Sequence, residues 1–336
     1  MVVGKRTGTR TLTFSRGPRI TSRYTLVGPW EGKGPYALDF HEILPDDSLG
    51  QKTAEKTERL MLEKAISKVL EQHGTSIHDV HFLIAGDLLN QITTSSLAAS
   101  THAVPFIGIY GACSTFAEAL GLGAVLLEGE FAQQVLIGTA SHYQTAERQF
   151  RYPIELNVQH LRTNQVTVTG AAAAILSFAE RGPRITHATF GTVVDMGLKD
   201  PHDMGSAMAP AAFRTIKEHL ADTGRTLEDY DLILTGDLGK QGSKMLRLLM
   251  EREQIKGLER LQDGGSQIFG PHQPVGAGGS GAACVAVMTL GYVLNRLEAA
   301  QVKRVLIVAT GALLSALTVL QGESIPCIAH AIALEQ

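Results

Sequence analysis

Two segments of this sequence lie 150 positions apart and align without a gap. Residues 74–88 and 224–238 share glycine, apolar and aspartate positions, and both end an apolar run with Gly-Asp-Leu. A helix with one apolar face is predicted before each segment, over residues 58–73 and 211–223. A repeat of this length indicates a duplicated structural unit, so the chain is predicted to contain two similar halves.

A second pair of segments extends the duplication. Positions between 121 and 137 match positions between 291 and 307 at an offset of 170, and each reads as a helix followed by a buried strand. Short apolar runs that alternate with helices favour parallel or mixed sheets covered by helices. The predicted fold is therefore α/β, with halves at residues 1–185 and 186–336. The glycine-rich run at 276–281 lacks both P-loop and dinucleotide-binding spacing, which argues against a nucleotide site.

Charge and cysteine usage exclude several classes of protein. A net charge of -3, without a basic helix that carries interleaved aromatic residues, argues against nucleic acid binding. The cysteines Cys113, Cys284 and Cys327 are odd in number and far apart, which indicates a reducing compartment. The start of the chain lacks the apolar core of a secretory signal, and the longest apolar run, 305–320, falls short of the ~20 residues of a spanning helix. We therefore expect any membrane contact to be peripheral or through a partner.

Cys113 follows a short apolar run and precedes a predicted helix over residues 116–127. The free N–H groups of the first helical turn carry partial positive charge, which would lower the pKa of the thiol or hold a bound carboxylate. The alternative is a small buried residue that fills the turn. These residues alone leave both interpretations open.

A cysteine at a strand-to-helix turn in the first of two duplicated halves resembles the nucleophile position of thiolases and ketoacyl synthases. The strings GDLLNQ (86–91), IGIYGACST (107–115) and SHYQTAERQFRYP (141–153) resemble, more closely, the stage V sporulation protein AD family. Similar strings at 167–174, 193–201, 203–212 and 327–331 extend the resemblance over nearly the whole chain.

The resemblance implies a thiolase-like fold, with mixed sheets in five layers ordered α/β/α/β/α, and a homodimer. It also implies binding of dipicolinate (pyridine-2,6-dicarboxylate), alone or as its calcium chelate, for uptake into the developing spore. The implied partners are the other membrane proteins of the spore dipicolinate channel. The implied location is peripheral to the inner membrane of the forespore or spore, on its cytoplasmic side. No cofactor is expected.

The second half of the chain lacks the groups that acyl transfer through Cys113 would need. When the glycine loops are aligned, the thiolase histidine position falls at about Pro274 or Val275, and the ketoacyl synthase histidine corresponds approximately to Asp237. A carboxylate close to the thiol would raise its pKa instead of accepting its proton. We therefore expect a non-catalytic binding protein.

Two alternatives remain. The first is an acyltransferase of the β-ketoacyl synthase or thiolase type that uses Cys113, with its base among His142, His272 and His330. The second is a structural scaffold for the channel assembly, which would bind its partners but no small molecule.

A dicarboxylate ligand requires cationic donors and an apolar wall for its ring. Arg148 or Arg151 is the candidate clamp for a carboxylate, and Phe150 or Tyr152 is the candidate for packing on the ring. Lys199 is a weaker cationic candidate. The predicted ligand-binding residues are Asp87, Cys113, His142, Arg148, Phe150, Arg151, Lys199 and Asp237. His142 is expected to point toward Cys113. The alternatives are a solvated or dimer-interface role for the arginines and a helix-capping role for Asp87 and Asp237.

A calcium loop in the chain itself is not predicted. Asp195, Asp200 and Asp203 lie close together in sequence, but their spacing lacks the alternation of an EF-hand loop. We predict turn and capping roles for these residues and no metal site.

Overall fold

The computed structural model describes residues 4–150 and 161–336. The strands, in chain order, are β1 (Lys5–Thr7), β2 (Thr11–Thr13), β3 (Arg19–Val27), β4 (Glu42–Ile43), β5 (Phe82–Gly86), β6 (Phe106–Gly108), β7 (Gln134–Ser141), β8 (Gln165–Thr167), β9 (Gly170–Ser177), β10 (Arg184–Phe190), β11 (Leu232–Thr235), β12 (Leu261–Asp263), β13 (Gly278–Ser280), β14 (Arg304–Ala312) and β15 (Cys327–Glu335). The helices are α1 (Ala54–His73), α2 (Thr93–Ala99), α3 (Thr115–Glu128), α4 (Tyr143–Phe150), α5 (Met204–Thr223), α6 (Gly239–Arg252), α7 (Gly264–Gln267), α8 (Ala282–Met288), α9 (Leu294–Glu298) and α10 (Ala316–Leu320).

The main sheet has the same arrangement when it is followed from either end. Its order is β12-β11-β14-β15-β10-β3-β9-β7-β5-β6. In the first half, β5 pairs in parallel with β6 and β7, and β7 pairs antiparallel with β9. In the second half, β11 pairs in parallel with β12 and β14, and β14 pairs antiparallel with β15. The halves meet where β10 and β3 share the single pair Arg184 and Arg19.

The boundaries of the elements repeat at the offsets that the sequence predicts. Helices α1 and α5 both have 20 residues and start 150 positions apart, whereas β7 and β14 start 170 positions apart. Both helices end at a glycine in the left-handed conformation, Gly74 with φ 71° and Gly224 with φ 65°. Glycine adopts this conformation without a Cβ penalty, which explains why both repeats keep it. The predicted duplication is confirmed.

Both helices begin earlier than the apolar pattern predicts. Helix α1 starts after Thr53, whose side chain accepts a hydrogen bond from the Lys56 amide, and α5 starts after Asp203, which caps the Ser206 amide. Pro210 lies inside α5 and does not end it. The predicted starts at 58 and 211 were therefore late, because the capped first turns carry no regular apolar spacing.

In the described residues, three large apolar cores fill the space between five layers, and the largest of them contacts both faces of the central helical layer. One core packs α1 and α2 on the first half of the sheet, and another packs α5 and α6 on the second half. The largest core holds α3 and α8 between the two half-sheets. The layer order is therefore α/β/α/β/α, as expected. The division of the chain at residues 185 and 186 stays a prediction.

The apolar run 305–320 forms most of β14 and then α10. Within residues 4–150 and 161–336, no helix has the length and the hydropathy that crossing a bilayer requires. Cys113, Cys284 and Cys327 are all free thiols.

Candidate functional site

Cys113 lies in a tight turn that packs against the second half of the chain. The turn is a single 3-10 turn, Ala112–Ser114, directly before α3, and Ala112 has the left-handed φ of 51°. A left-handed non-glycine residue costs of order 1 kcal/mol or more, so the surrounding contacts must impose it. Gly311, at the end of β14, is one such contact, because a Cβ there would lie 2.1 Å from the carbonyl oxygen of Gly111.

The side chains around this turn come from both halves. Leu88, Ala112, Ala146 and Ala282 form a small buried cluster, and Cys113, Phe150 and Leu313 pack against it. These residues follow β5, precede α3, belong to α4, begin α8 or follow β14. The structure thus brings Cys113 and Phe150 to one place, where strand ends meet helix starts.

Asp237 is the buried acid beside Cys113. Its Oδ1 accepts a hydrogen bond from the Gly281 amide at 3.0 Å, while its buried Oδ2 has no hydrogen-bond partner among the described residues beyond the weak donor of the neighbouring Cys284 thiol. Burial, together with the neighbouring Asp263, raises the pKa of the Asp237 carboxyl well above its usual value. The carboxylate form of Asp237 is therefore costly in this position.

The pKa of the Cys113 thiol is raised, not lowered. Burial is the largest cause and the Asp237 carboxyl is the second, and together they outweigh the favourable effect of the Gly281 amide. The expectation that the helix start would lower the pKa of this thiol is therefore wrong. Removal from water destabilises the thiolate more than the amides of the first helical turn stabilise it. The sulfur remains a thiol at neutral pH.

None of the three histidines considered as a base has a hydrogen bond to Cys113 in the described residues. His142 is buried, its Nε2 lies 2.7 Å from the Asp47 carbonyl oxygen, and its Nδ1 accepts the Gln144 amide at 3.1 Å. Burial lowers the pKa of His142 and, to about 4, the pKa of His330. The Nδ1 of His330 accepts the Gly191 amide, and His272 is exposed. Backbone contacts thus hold His142, whose predicted orientation toward Cys113 gains no supporting contact.

Asp87 and Asp237 end equivalent strands, yet their surroundings differ. The Oδ1 of Asp87 accepts the Leu89 amide at 2.9 Å and its Oδ2 accepts the Ser95 amide at 2.7 Å, so both oxygens hold local backbone. In the second half, Asp263 performs this role by accepting the Leu238 and Gly239 amides. Asp237 therefore does not hold its own loop and accepts the Gly281 amide before α8 instead, whereas Asp87 has the capping geometry given above as its alternative.

The cationic candidates are held by other groups or lie elsewhere. The guanidinium of Arg148, on α4, forms a salt bridge with Glu55 of α1. The ammonium of Lys199 donates to the Gly322 carbonyl at 2.7 Å in an exposed loop. Arg151 lies outside the described residues, as does Tyr152. The structure places Arg148 on the helix that borders the site and places Lys199 beside the loop after α10.

A cavity of about 630 Å³ opens beside the Cys113 turn. The loops after β5, β6 and β14 form its walls together with α4, and it is lined by Leu89, Asn90, Gln91, Ile92, Gly108, Ile109, Tyr110, Gln149, Leu313, Leu314, Ser315 and Thr318. The lining combines uncharged side chains that can donate hydrogen bonds with apolar side chains. Burial and the nearby Cys113 raise the pKa of Tyr110 to about 12, which keeps its phenol a donor.

Sequence reasoning missed the amides and hydroxyls of this cavity. Asn90 and Gln149 are joined by a hydrogen bond of 2.8 Å, which links the loop after β5 to α4. Both residues lie in the strings 86–91 and 141–153 that carry the family resemblance, and this was the available signal. Within the described residues, no group of three or more His, Cys, Asp and Glu side chains is arranged to hold a metal ion.

Solved structures share this fold. 3-Oxoacyl-(acyl-carrier-protein) synthase III from Aquifex aeolicus VF5 matches with a TM-score of 0.59 and 15% identity, over 95% of this chain and all 100% of that one. A cerulenin-bound variant of OleA from Xanthomonas campestris also matches with a TM-score of 0.59, at 13% identity over 96% of this chain and 98% of that chain. At such identities the likeness establishes the fold alone, which is the thiolase-like fold that the sequence predicts.

The sequence comparisons reach further. A family model described as stage V sporulation protein AD matches residues 8–335. The stage V sporulation protein AD of Bacillus subtilis (strain 168) is 42% identical over 332 residues, which cover 99% of this chain and 98% of that protein. The chain belongs to the stage V sporulation protein AD family, and it is a sporulation protein with a thiolase-like fold.

Proposed function

We propose that this protein binds dipicolinate, alone or as its calcium chelate, in the cavity beside Cys113 and performs no chemistry on it. Binding would serve uptake of dipicolinate into the developing spore. The observation that carries the proposal is a thiolase-type site in which a buried acid, Asp237, neighbours the thiol where a base would be needed. A condensing fold without an activated nucleophile retains a cavity that can still hold an anion.

The residues that the structure describes place no proton acceptor for acyl transfer in hydrogen-bond contact with Cys113, and this supports binding over acyl transfer. A cysteine nucleophile requires a base within hydrogen-bond reach or a lowered thiol pKa. Cys113 has a raised thiol pKa, and His142 uses both ring nitrogens in contacts with backbone groups. Each of these features would slow the formation of an acyl-cysteine.

The lining of the cavity matches the chemistry of a flat aromatic dicarboxylate. Leu89, Leu313 and Phe150 offer apolar surface near the thiol, where a pyridine ring can pack. Asn90, Gln149 and the Tyr110 phenol carry donors that carboxylate oxygens can accept. A volume of about 630 Å³ lies in the range of small-molecule sites and leaves room for a hydrated calcium ion beside the ligand.

The setting of this function is part of the proposal. The protein would act as a homodimer, peripheral to the inner membrane of the forespore or spore on its cytoplasmic side, and would pass the ligand to the membrane proteins of the dipicolinate channel. Strand β6 supports pairing, because it ends the main sheet and keeps one edge free in the described part of the chain. Arg148 and Arg151 remain the proposed cationic contacts, and Arg148 would exchange its salt bridge with Glu55 for the ligand. Lys199 is the weaker candidate, since its ammonium donates to the Gly322 carbonyl.

Titration calorimetry with dipicolinate and with pyridine-2-carboxylate tests the proposal. A site that uses both carboxylates should bind dipicolinate saturably and at least about tenfold more tightly, since a lost charged hydrogen bond costs about 1.5–3 kcal/mol. The Arg148→Ala variant should bind more weakly, whereas Arg252→Ala, at the far end of α6, should not. Equal affinity for the two ligands, or no measurable heat with either, would contradict the proposal.

The rival function is acyl transfer through Cys113, and the fold it shares with synthase III and OleA favours it. Intact-protein mass spectrometry after incubation with acyl thioesters decides between the two. Our proposal predicts an unchanged mass. A covalent acyl adduct that disappears in a Cys113→Ser variant would establish the rival.

A further inference from the structure

Glu58 is a fully buried acid that contacts α4, the helix that forms one wall of the proposed ligand cavity. It lies on α1, and its Oε2 is 2.5 Å from the Thr145 hydroxyl oxygen on α4. Its other oxygen, Oε1, is buried and has no hydrogen-bond partner within residues 4–150 and 161–336. An ionised carboxylate with one unsatisfied oxygen in this position would be expensive.

The hydrogen bonds around Thr145 favour a proton on Glu58. The Thr145 hydroxyl also lies 2.9 Å from the His142 carbonyl oxygen, which can only accept. A hydroxyl has one proton to donate. If Thr145 donates it to the carbonyl, Glu58 keeps its contact only by donating a proton of its own to the threonine oxygen. A neutral Glu58 satisfies both contacts of the Thr145 hydroxyl, and an ionised Glu58 satisfies one of the two.

The charged groups around Glu58 act in the same direction. Asp87, from the loop after β5, and Glu55, on α1 itself, both disfavour a second negative charge. The Thr94 hydroxyl of α2 and the Thr145 hydroxyl of α4 act in the opposite direction and lower the pKa, but burial and Asp87 outweigh them. The Arg148 guanidinium is bound to Glu55. His142, before α4, is held neutral by burial. Burial, with the Asp87 carboxyl, raises the pKa of Glu58 to about 8.

Both neighbours of Glu58 belong to walls of the cavity. Thr145 lies one turn before Gln149, which lines the cavity on α4. Asp87 holds the loop that carries Leu89 and Asn90 through the Leu89 and Ser95 amides. The two walls are also joined directly by the Gln149 to Asn90 hydrogen bond. A second charge at Glu58 would therefore act on both walls together.

We propose that Glu58 and Asp87 form a buried acid pair that holds the two walls of the cavity together only while the pair retains a proton, so that a rise in pH releases the ligand. This inference rests on the proposed function, because it names the regulation of the same site. Glu58 acts as a positioning residue and does not contact the ligand itself. Ionisation of Glu58 breaks the donation to Thr145 and sets two carboxylates against each other, which loosens α4.

Calorimetric titration of the full chain with dipicolinate at about pH 6.5 and about pH 9.5 tests the coupling. The dissociation constant of the wild-type protein should rise about tenfold, while both ligand carboxylates stay ionised throughout because ordinary carboxyl pKa values lie near 4. The Glu58→Gln variant keeps the shape and a donor for Thr145 but cannot ionise, so its dissociation constant should be independent of pH. An equal pH dependence in Glu58→Gln, or none in the wild type, would overturn the inference.

Hydrogen exchange without ligand separates this inference from the proposed function. The amides of α4 in the wild-type protein should lose protection over the same pH range relative to the α4 amides of Glu58→Gln. Absence of dipicolinate binding at both pH values would contradict the proposed function alone. Identical α4 protection in the two proteins at both pH values would contradict the acid pair.

Discussion

The Asp237 carboxyl from the second half of the chain neighbours the Cys113 thiol from the first half, and the Gly281 amide favours the charged form of both groups. Burial and the Asp237 carboxyl together raise the pKa of the thiol well above its usual value. This relationship separates the site from one that makes acyl-cysteine intermediates, because the group beside the sulfur opposes the thiolate.

The reactivity of Cys113 should increase when the charge of Asp237 is removed. In Asp237→Asn the thiolate no longer faces a carboxylate, so alkylation of Cys113 by iodoacetamide at about pH 9 should be several-fold faster than in the wild type. Peptide-level mass spectrometry measures the rate at each cysteine. Cys327 provides the internal control, because burial raises the pKa of its thiol to about 12 chiefly by itself. An unchanged Cys113 rate would show that the two groups are not coupled.

The equivalent aspartates should respond in opposite ways to the same substitution. Asp87→Asn loses an acceptor for one of two buried amides and should destabilise the protein by about 2 kcal/mol. Asp237→Asn removes a buried acid with one unpartnered oxygen and should change the stability by less than about 1 kcal/mol, in either direction. Urea unfolding at neutral pH measures both. A larger loss for Asp237→Asn than for Asp87→Asn would contradict the division of roles.

A methyl group at Gly311 should disrupt the cysteine turn. The Cβ of a Gly311→Ala variant would meet the Gly111 carbonyl oxygen at 2.1 Å, so the turn must move and the stability should fall by roughly 2 kcal/mol or more. Dipicolinate affinity should fall with it. Gly270→Ala is the control, since its Cβ would meet only the Gln273 side chain at 3.5 Å. Denaturant unfolding that shows equal stability for both variants would rule out the tight contact.

Acid should destabilise the protein through buried histidines. Burial lowers the pKa of His219 to about 3, and its ring nitrogens contact the Tyr230 and Thr189 hydroxyls at 2.6 and 2.7 Å. Because the unfolded chain binds the proton first, stability is full above about pH 6.5 and falls as the pH drops toward the folded value. Unfolding free energies between about pH 7 and pH 5 should therefore decline less in His219→Gln than in the wild type. A variant at the exposed His272 should keep the wild-type decline, and identical slopes for all three proteins would contradict the assignment.

The repeat of Gly-Asp-Leu predicted the equivalence of Asp87 and Asp237 but not their different roles. Both follow the strand ends that the pattern indicates, and this part is confirmed. Which of them caps backbone depends on the nearby loops: the Ser95 amide turns toward Asp87, whereas Asp263 takes the amides near Asp237. Such contacts join residues far apart in sequence, so the local pattern carries no signal for them.

The cavity lining was harder to predict than the fold. The periodicity of apolar residues predicts the helices and strands that form the layers, because one face of each element is buried at regular intervals. Asn90, Gln149 and Tyr110 are ordinary surface residue types, and only the closing of α4 over the loop after β5 gathers them. A search for cations drew attention to Arg148 and Lys199, whose charged groups are bound to Glu55 and to the Gly322 carbonyl.

The most direct test of the account is calorimetric titration of dipicolinate into a cavity-filling variant, Asn90→Trp, beside the wild type. Asn90 lines the cavity and is exposed at its edge, so the indole should occupy the ligand volume without disturbing the core. Leu248→Trp, on the exposed face of α6, controls for an added indole. We predict saturable binding by the wild type and by Leu248→Trp, and a loss of at least about tenfold in affinity in Asn90→Trp. Undiminished binding by Asn90→Trp would contradict a site beside Cys113.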